Sequence, residues 1–319
     1  MATTINSTIK GKAYEYACVL ALTEIVSKYR NIEIEKNDSL EIAKTKYKQI
    51  TTQERKEMLL SANAGIISII KMEPKIIEDG NDKLLISLQP DSVATKLGDV
   101  RDVLIIRRSI KWEIGISVKH NHSALKHSRL SAQLDFGQVW TNTPCSKKYF
   151  NEIKPIFDNL VVLKTKGKKW SSIIHKEDSV YVPLLNAFKN EFLRLNKKED
   201  ITNKLVKYLI GSNGRDYYKL QHTNKHITRV IPFNLYGTLN QSSTNKRPTI
   251  KIPKISLPNK ILDFNFKDNS KTTLILTMNN AWSISFRIHN ASTIVEPSLK
   301  FDIQIFGSPD SLFYIDAAW

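Results

Sequence analysis

The sequence predicts an α/β protein with a β-rich C-terminal region. Apolar residues recur at steps of three and four between residues 11 and 29, which is typical of a helix with one buried face. Between residues 103 and 119 the apolar residues alternate with period two, which is typical of β-strands. Beyond Gly211, prolines separate short apolar runs, and this pattern favours strands.

The first half of the chain begins with helices. Gly11–Tyr29 is a predicted amphipathic helix, because Tyr14, Cys18 and Ile25 fall on one face. A second helix is predicted from Thr52 to Lys71. The apolar run Leu84–Leu88 ends at Gln89-Pro90 and is predicted to be a short strand.

The next segment predicts two antiparallel strands. Val103–Ile106 is apolar and β-rich, and the polar group Arg107–Ser109 then forms a turn. The second strand runs to Lys119, with Ile114, Ile116 and Val118 on one face. A turn centred near residues 108 and 109 places Asp102 opposite residues 115 to 117. From Ser123 to Leu134 the chain is expected to be helical.

The remaining elements are predicted from the same two periodicities. The expected strands are Asn159–Lys164, Thr273–Met278, Ala281–Ile288 and Leu299–Phe306, and the expected helices are Val180–Leu195 and Asp200–Leu209. The length of 319 residues favours about two domains. We expect residues 1–175 to form the nuclease core with the strand pair and residues 176–319 to form a helical, then β-rich, DNA-recognition region, with one compact unit as the alternative.

Charge points to a polyanionic partner. The chain has 48 Lys and Arg against 31 Asp and Glu, a net charge of +17. Residues 151–260 alone hold 21 basic and 8 acidic side chains, so phosphate contacts are expected there. The two cysteines form no zinc spacing or disulfide framework and fit a reducing compartment. The absence of an 18-residue apolar run or a leader pattern predicts a cytoplasmic protein without a membrane span.

An acid before one strand and a lysine at the end of its neighbour suit metal-dependent phosphodiester hydrolysis. The acid holds a divalent ion, which polarises the phosphoryl oxygen and acidifies a bound water. The lysine stabilises charge that develops on the phosphate. Asp102 and Lys119 occupy these positions, and Asp99 is a second acid nearby. Glu113 lies on the same face as Lys119 but four residues from Ser117.

Four segments carry a resemblance to a known family. They are GKAYEYA at 11–17, GDVRDVLI at 98–105, ISVKHNHSALKHSRLS at 116–131 and SFRIHNASTIVEPSLKFDIQIFG at 285–307. The chain resembles the PD-(D/E)xK nucleases and, more narrowly, the HaeIII family of type II restriction endonucleases. The resemblance implies a restriction-endonuclease-like core, a mixed β-sheet flanked by helices. It also implies Mg²⁺-dependent cleavage of double-stranded DNA at a short palindromic site, GGCC for the family's namesake. A cognate DNA methyltransferase that protects the host DNA is the implied partner.

The chain departs from the superfamily pattern at Ser117, where Glu or Asp is usual. A hydroxyl is a poorer ligand for a hard cation than a carboxylate. Some members of the superfamily recruit an acid from another element, and Glu15 on the first helix is the preferred candidate here. Asp99 and Asp135 are alternatives, and Glu113 is the weakest.

Candidate DNA contacts fall in three groups. The first follows the lysine strand and contains His120, Asn121, His122, Lys126, His127 and Arg129. The second lies in the basic middle third, where Arg215, Lys219, Lys225 and Arg229 are expected to clamp the backbone. The third is FRIHNA, where Arg287, His289 and Asn290 could read base edges. His120, His122 and His127, with Asp or Glu partners, could also form a zinc site, although no further Cys or His has a confirming spacing.

Two functions therefore stand side by side. The first is a Mg²⁺-dependent restriction endonuclease, and the second is a non-catalytic, sequence-specific DNA-binding protein whose nuclease site has degenerated. Ser117 is the residue that makes the second credible. Whether the protein acts on DNA as a dimer or a monomer stays open.

Overall fold

A computed structural model describes residues 7–78, 80–120, 125–223 and 225–319. The chain divides into two compact units. The first unit comprises Met1–Ser123, Gly211–Ile255 and Ser311–Trp319, and the second comprises Ala124–Ile210 and Ser256–Asp310. The expected division at residue 175 concerns functional roles and stays a prediction.

The helices and strands are as follows, in chain order. The helices are α1 (Ser7–Val26), α2 (Asp38–Gln49), α3 (Thr52–Met72), α4 (Asp91–Leu97), α5 (Phe136–Thr141), α6 (Lys147–Thr165), α7 (Val182–Lys198) and α8 (Thr202–Ile210). The strands are β1 (Ile32–Ile34), β2 (Leu84–Leu88), β3 (Val103–Arg107), β4 (Trp112–His120), β5 (Lys126–Leu130), β6 (Tyr217–His222), β7 (Ile227–Phe233), β8 (Ile261–Phe266), β9 (Thr273–Met278), β10 (Ser283–His289), β11 (Leu299–Gly307) and β12 (Ile315–Ala318). No helix in the described part of the chain has the length and apolar character needed to cross a membrane.

The first unit is built on a mixed seven-stranded sheet in the order β1-β2-β3-β4-β6-β7-β12. β1 pairs with β2 in parallel, as does β4 with β6, and the other pairs are antiparallel. The predicted antiparallel pair is confirmed as β3 and β4, in which Val103 lies opposite Ile116. The predicted mixed sheet with flanking helices is therefore confirmed.

Helices α1 and α3 cover one face of this sheet. Tyr14, Cys18 and Leu22 of α1 are fully buried among apolar residues of β3, β4 and β6. α3 lies so close to the sheet that a Cβ on Gly65 would come within 2.5 Å of Leu220 Cδ1. This close packing fixes α1, and with it any acid that α1 carries, relative to the strands.

The second unit contains a five-stranded antiparallel sheet in the order β5-β11-β10-β9-β8. One face of this sheet is apolar, and Phe286 and Phe301 project from it. They pack against Phe188 of α7 and Trp140 of α5, with ring centroids 5.1–6.3 Å apart. Aromatic burial of this kind stabilises the helix layer on the sheet.

Two predicted elements are wrong. The segment expected to be a helix from Ser123 to Leu134 contains β5, which pairs with β11, so that Leu130 lies opposite Leu299. The segment Asn159–Lys164, expected to be a strand, belongs to α6, whose buried residues Tyr149, Ile153, Phe157 and Leu160 follow a helical period. Long-range pairing and packing override the local preference in both cases.

Candidate active site

Asp102, Ser117 and Lys119 meet at one carboxylate oxygen. Asp102 immediately precedes β3, and its Oδ2 accepts hydrogen bonds from the Ser117 hydroxyl at 3.4 Å and from the Lys119 ammonium at 3.2 Å. The backbone N–H of Val118 donates to the same oxygen at 2.7 Å. Three donors from one strand therefore hold this carboxylate in a single place.

The register of β3 and β4 produces this arrangement. The Asp102 N–H donates to the Ile116 carbonyl at 2.8 Å, which extends the ladder one residue beyond β3. Ser117 and Lys119 are two residues apart on β4, so they share a face of the sheet. The expected proximity of Asp102 to both residues follows from this pairing.

Glu15 enters from α1 and is buried, with 6% of its surface exposed. Its carboxylate forms an ion pair with Lys12, one turn earlier, at 2.9 Å. Burial and the negative charge of Asp102 raise the pKa of Glu15 to about 7. The charge of Asp102 is the second-largest cause of this shift, so the two carboxylates lie near enough to repel each other.

Asp99 has different partners. The Arg101 guanidinium donates to both of its oxygens, at 2.8 and 2.7 Å, and the Ser212 hydroxyl donates to Oδ1 at 2.7 Å. These donors hold the pKa of Asp99 at about 2, against the opposing effect of burial. Glu113 also accepts from Arg101, at 2.7 Å, and from Arg215, at 2.5 Å. Both acids therefore belong to an ion-pair network that is centred on the buried Arg101.

The path of Arg101 explains a glycine in β4. A Cβ on Gly115 would lie 2.2 Å from Arg101 Cδ, so only glycine leaves room for this side chain to cross the strand. Arg101 can then reach Glu113. Asp135, the remaining candidate acid, caps α5 in the second unit, where its Oδ1 accepts from the Gln138 N–H at 2.8 Å.

The donor set around Asp102 suits a hard divalent cation. Asp102, Glu15 and Ser117 offer carboxylate and hydroxyl oxygens, which Mg²⁺ prefers over nitrogen or sulfur. The repulsion that raises the pKa of Glu15 is one that a cation would relieve. Among the described residues, no group of three or more His, Cys, Asp or Glu side chains could hold a metal ion by itself.

Lys219 lies in a place that the sequence did not indicate. It is on β6, opposite Ser117 in the parallel pairing of β4 with β6, and only 5% of its surface is exposed. Burial and the charge of Lys119 lower its pKa to about 8. The neighbouring Tyr217 is also buried, and burial followed by the charge of Asp102 raises its pKa. The partner of β4 is contributed by residues about a hundred positions later, which no local pattern reveals.

The predicted DNA contacts after β4 lie in several settings. His120 ends β4 and stacks on His222 with ring centroids 4.6 Å apart, and burial lowers its pKa. Asn121 and His122 lie outside the described residues. Lys126, His127 and Arg129 lie in β5 of the second unit, where the Arg129 side chain is exposed.

The basic residues of the middle third are also divided. Arg215 is exposed and pairs with Glu113. Lys225 is exposed between β6 and β7. Arg229 forms a bidentate ion pair with Asp316, at 2.8 Å for both bonds, and its guanidinium lies 3.8 Å from the centre of the Tyr314 ring.

The predicted base readers lie on and after β10. Arg287 has 57% of its side chain exposed and pairs with Asp302 on β11 at 3.2 Å. The His289 ring nitrogen Nδ1 lies 2.9 Å from the Asn290 carbonyl oxygen. The Asn290 side chain accepts from the Tyr181 hydroxyl at 3.2 Å and donates to the Ser292 carbonyl at 2.8 Å. Of the three, Arg287 presents the most accessible donor group.

The model of the HaeIII restriction endonuclease family matches residues 11–309. The chain belongs to the HaeIII restriction endonuclease family. It is 43% identical to the type II restriction enzyme HaeIII of Haemophilus aegyptius over 317 residues, which cover 98% of each chain. No solved structure matches this family member.

Membership confirms two expectations from the sequence. The resemblance to the HaeIII family is confirmed across nearly the whole chain, and so is the enzyme class, a type II restriction endonuclease. The match spans both compact units, so the second unit is part of the family's architecture and not an unrelated addition.

Proposed function

We propose that this family member hydrolyses both strands of DNA at a short palindromic site, in a Mg²⁺-dependent reaction of the PD-(D/E)xK type. The observation that carries the proposal is the meeting of Ser117, Lys119 and the Val118 N–H at one oxygen of Asp102. GGCC is the proposed site, by resemblance to the family's namesake. A host-protecting methyltransferase and a cytoplasmic location go with this function, and the active form is a dimer or a monomer on DNA.

Asp102, Glu15 and Ser117 are the residues that would hold Mg²⁺. When bound, this ion supplies Lewis-acid polarisation of the phosphoryl group and lowers the pKa of a water molecule. Asp99 and Glu113 are weaker candidates, because arginines already donate to their carboxylates. Asp135 is weaker as well, because it caps α5.

Lys119 is the proposed catalytic cation. Its ammonium is held at 3.2 Å from Asp102 and is partly exposed, so an incoming phosphate can reach it. A fixed ammonium stabilises the charge that accumulates on the phosphoryl oxygens as the bond to the leaving oxygen breaks. The hydrogen bonds that Asp102 accepts hold its carboxylate and the Lys119 ammonium in fixed positions before DNA binds.

Recognition is assigned to exposed basic side chains. Arg287 suits the O6 and N7 atoms of guanine, which accept two bonds from one guanidinium in the major groove. His289 and Asn290 lie next to it as further candidates for base contacts. Contacts to the DNA backbone are assigned to Lys225, Arg229 and Arg215 in the first unit. The same role is assigned to a second group at the end of β4 and in the residues that follow it, namely His120, Asn121, His122, Lys126, His127 and Arg129.

The test is digestion of a sequenced plasmid by the purified protein, with Mg²⁺ and with EDTA. We expect discrete fragments with Mg²⁺ only, and the fragment ends identify the site. Methylation of the plasmid at that site should protect it. If the protein shifts the mobility of the DNA but cleaves neither strand with any divalent ion, the proposal is overturned in favour of the non-catalytic DNA-binding protein.

A further inference from the structure

Lys219 lies on β6, next to the part of β4 that contacts Asp102, and the proposed reaction gives it no role. Ser117 lies between two neighbours on this face, with Asp102 on the β3 side and Lys219 on the β6 side. Paired residues of adjacent strands project to the same face of a sheet. Lys219 therefore points to the same side as Ser117 and Lys119, and the register places it opposite Ser117, two residues before Lys119 on the neighbouring strand.

Burial makes this lysine costly to keep. Lys219 is 5% exposed in the central part of the sheet, where an apolar side chain of similar length would avoid the desolvation of an ammonium. The nearby positive charge of Lys119 adds repulsion. Charged groups retained in such places are characteristic of functional sites.

The charge balance of the site indicates what Lys219 contacts. The superfamily pattern has a second carboxylate at position 117, and this chain has a neutral hydroxyl there with an ammonium beside it. With Glu15 beside Asp102 the site keeps two carboxylates, so the additional ammonium of Lys219 makes this face more positive than the usual arrangement. A phosphodiester, whose negative charge grows in the transition state, is the ligand that such a face favours.

We propose that Lys219 is a further catalytic residue, whose ammonium contacts a non-bridging oxygen of the scissile phosphate beside Lys119. This proposal rests on the proposed function, because it requires that the scissile phosphate binds at Asp102. The sequence indicated Lys219 as a general contact to the DNA backbone, and this proposal assigns it to the phosphate that reacts.

The test uses Lys219→Met, which keeps the length of the side chain and removes its charge. Lys83→Met is the matched control, because Lys83 is exposed and pairs only loosely with Glu33, at 3.7 Å. Three quantities are measured for both variants: the single-turnover cleavage rate with Mg²⁺, the affinity for cognate DNA with Ca²⁺ in place of Mg²⁺, and the thermal unfolding midpoint.

We expect Lys219→Met to cleave at least about 100-fold more slowly than the wild type, as for loss of one preorganised electrostatic group. Its thermal unfolding midpoint should change far less than its cleavage rate, because methionine keeps the length of the side chain and avoids the desolvation of the ammonium. Its affinity with Ca²⁺ should fall far less than its rate. Lys83→Met should match the wild type in all three.

A phosphorothioate at the scissile bond gives a second readout. Sulfur in place of the oxygen that Lys219 contacts should slow the wild type and affect Lys219→Met much less, whereas sulfur at the other oxygen should affect both alike. Cleavage by Lys219→Met within about threefold of the wild type would overturn the proposal. A lower thermal unfolding midpoint, together with a loss of DNA affinity as large as the loss of rate, would also overturn it, because these results mark a structural role. Asp102→Asn is assayed in parallel, and an active Asp102→Asn would overturn the proposed site itself.

Discussion

The two sheets of this endonuclease present their polar side chains in opposite ways. On the seven-stranded sheet, Ser117 and Lys219 are nearly inaccessible, with 2% and 5% of their surfaces exposed. On the five-stranded sheet, Arg129 is exposed and Arg287 keeps 57% of its side chain in solvent. The opposite face of that sheet is filled with aromatic residues such as Phe286 and Phe301.

This difference separates two tasks that an endonuclease must perform. Electrostatic catalysis requires charges that are fixed and partly desolvated, because such charges act strongly and need not reorganise during the reaction. Base recognition requires donors that can reach a groove, and exposed arginines are suited to it. We therefore expect variants of the seven-stranded sheet to change the cleavage rate, and variants of the five-stranded sheet to change the choice of DNA sequence.

The largest effect is expected at Asp102. Asp102→Ala should abolish cleavage and retain binding to cognate DNA, because it removes a metal ligand and leaves the DNA contacts in place. Cleavage is measured on a plasmid and binding by mobility shift. Asp268→Ala, at an exposed position, is the control and should cleave normally. Activity of Asp102→Ala within tenfold of the wild type would contradict the assignment of Asp102 as principal ligand.

Lys119 comes next. Lys119→Ala should reduce the cleavage rate by at least about 100-fold. Lys119→Arg should not rescue it, because a planar guanidinium does not replace a compact point charge held against Asp102. Single-turnover rates decide both points, and full activity of Lys119→Arg would refute the role given to the ammonium.

A substitution at Arg287 tests whether the five-stranded sheet recognises the DNA sequence. Arg287→Ala should reduce discrimination between cognate and near-cognate DNA by about 1–3 kcal/mol, which corresponds to roughly 5- to 150-fold. Cleavage of a small set of sites that differ at one base pair gives this ratio. Arg108→Ala removes an exposed arginine from the turn between β3 and β4 and should leave the ratio unchanged. An equal loss on all sequences would make Arg287 a backbone contact instead.

Glu15 is expected to change the metal requirement. Glu15→Gln keeps the shape of the side chain and removes its charge, so half-maximal cleavage should need at least about tenfold more Mg²⁺, since even outer partners of metal sites cost that much. Ser117→Glu in the same background should restore part of the affinity. Glu24→Gln, at an exposed position of α1, is the matched control. An unchanged Mg²⁺ titration for Glu15→Gln would remove Glu15 from the ligand set.

The last prediction concerns stability and the buried Glu73. Its carboxylate accepts from the Tyr218 hydroxyl at 2.7 Å and from the Asn240 N–H at 2.6 Å, and burial raises its pKa to about 7. The folded state therefore holds a proton on Glu73 that the unfolded state has lost above pH 4.5. This contribution is complete below pH 4.5 and disappears as the pH rises to about 7, by on the order of 3 kcal/mol. Glu73→Gln should flatten that part of the pH profile in urea unfolding, and Glu41→Gln, which is exposed, should not.

The sequence predicted the local half of the site. Alternation in β3 and β4 is a property of adjacent residues, so the strand pair and the approach of Asp102 to Ser117 and Lys119 follow from it. The helical period of α1 likewise predicted that Tyr14 and Cys18 are buried beside Glu15. Within such short segments, the hydrophobic period of the sequence is enough to predict which side chains are buried.

The remainder depends on pairings that join distant segments. Lys219 is beside Ser117 because β6 pairs in parallel with β4, and a parallel pair needs a long connection. The helix predicted over Ser123–Leu134 is wrong for the same reason, since β5 forms against β11 from the far end of the chain. Val161 and Val162 favour a strand locally, but in α6 they are exposed while Phe157 and Leu160 are buried.

The insertion of Ala124–Ile210 between β4 and β6 has a consequence for synthesis of the enzyme. Until residues 217–222 leave the ribosome, β4 has no partner on one side and is an open edge of the sheet. Pairing across so long a connection is slow, because the closure of a large loop precedes any gain from contacts. Glu15, Asp102, Ser117 and Lys119 are thus synthesised well before the strand that pairs with β4 on its open side, so this site is complete only after β6 has been made.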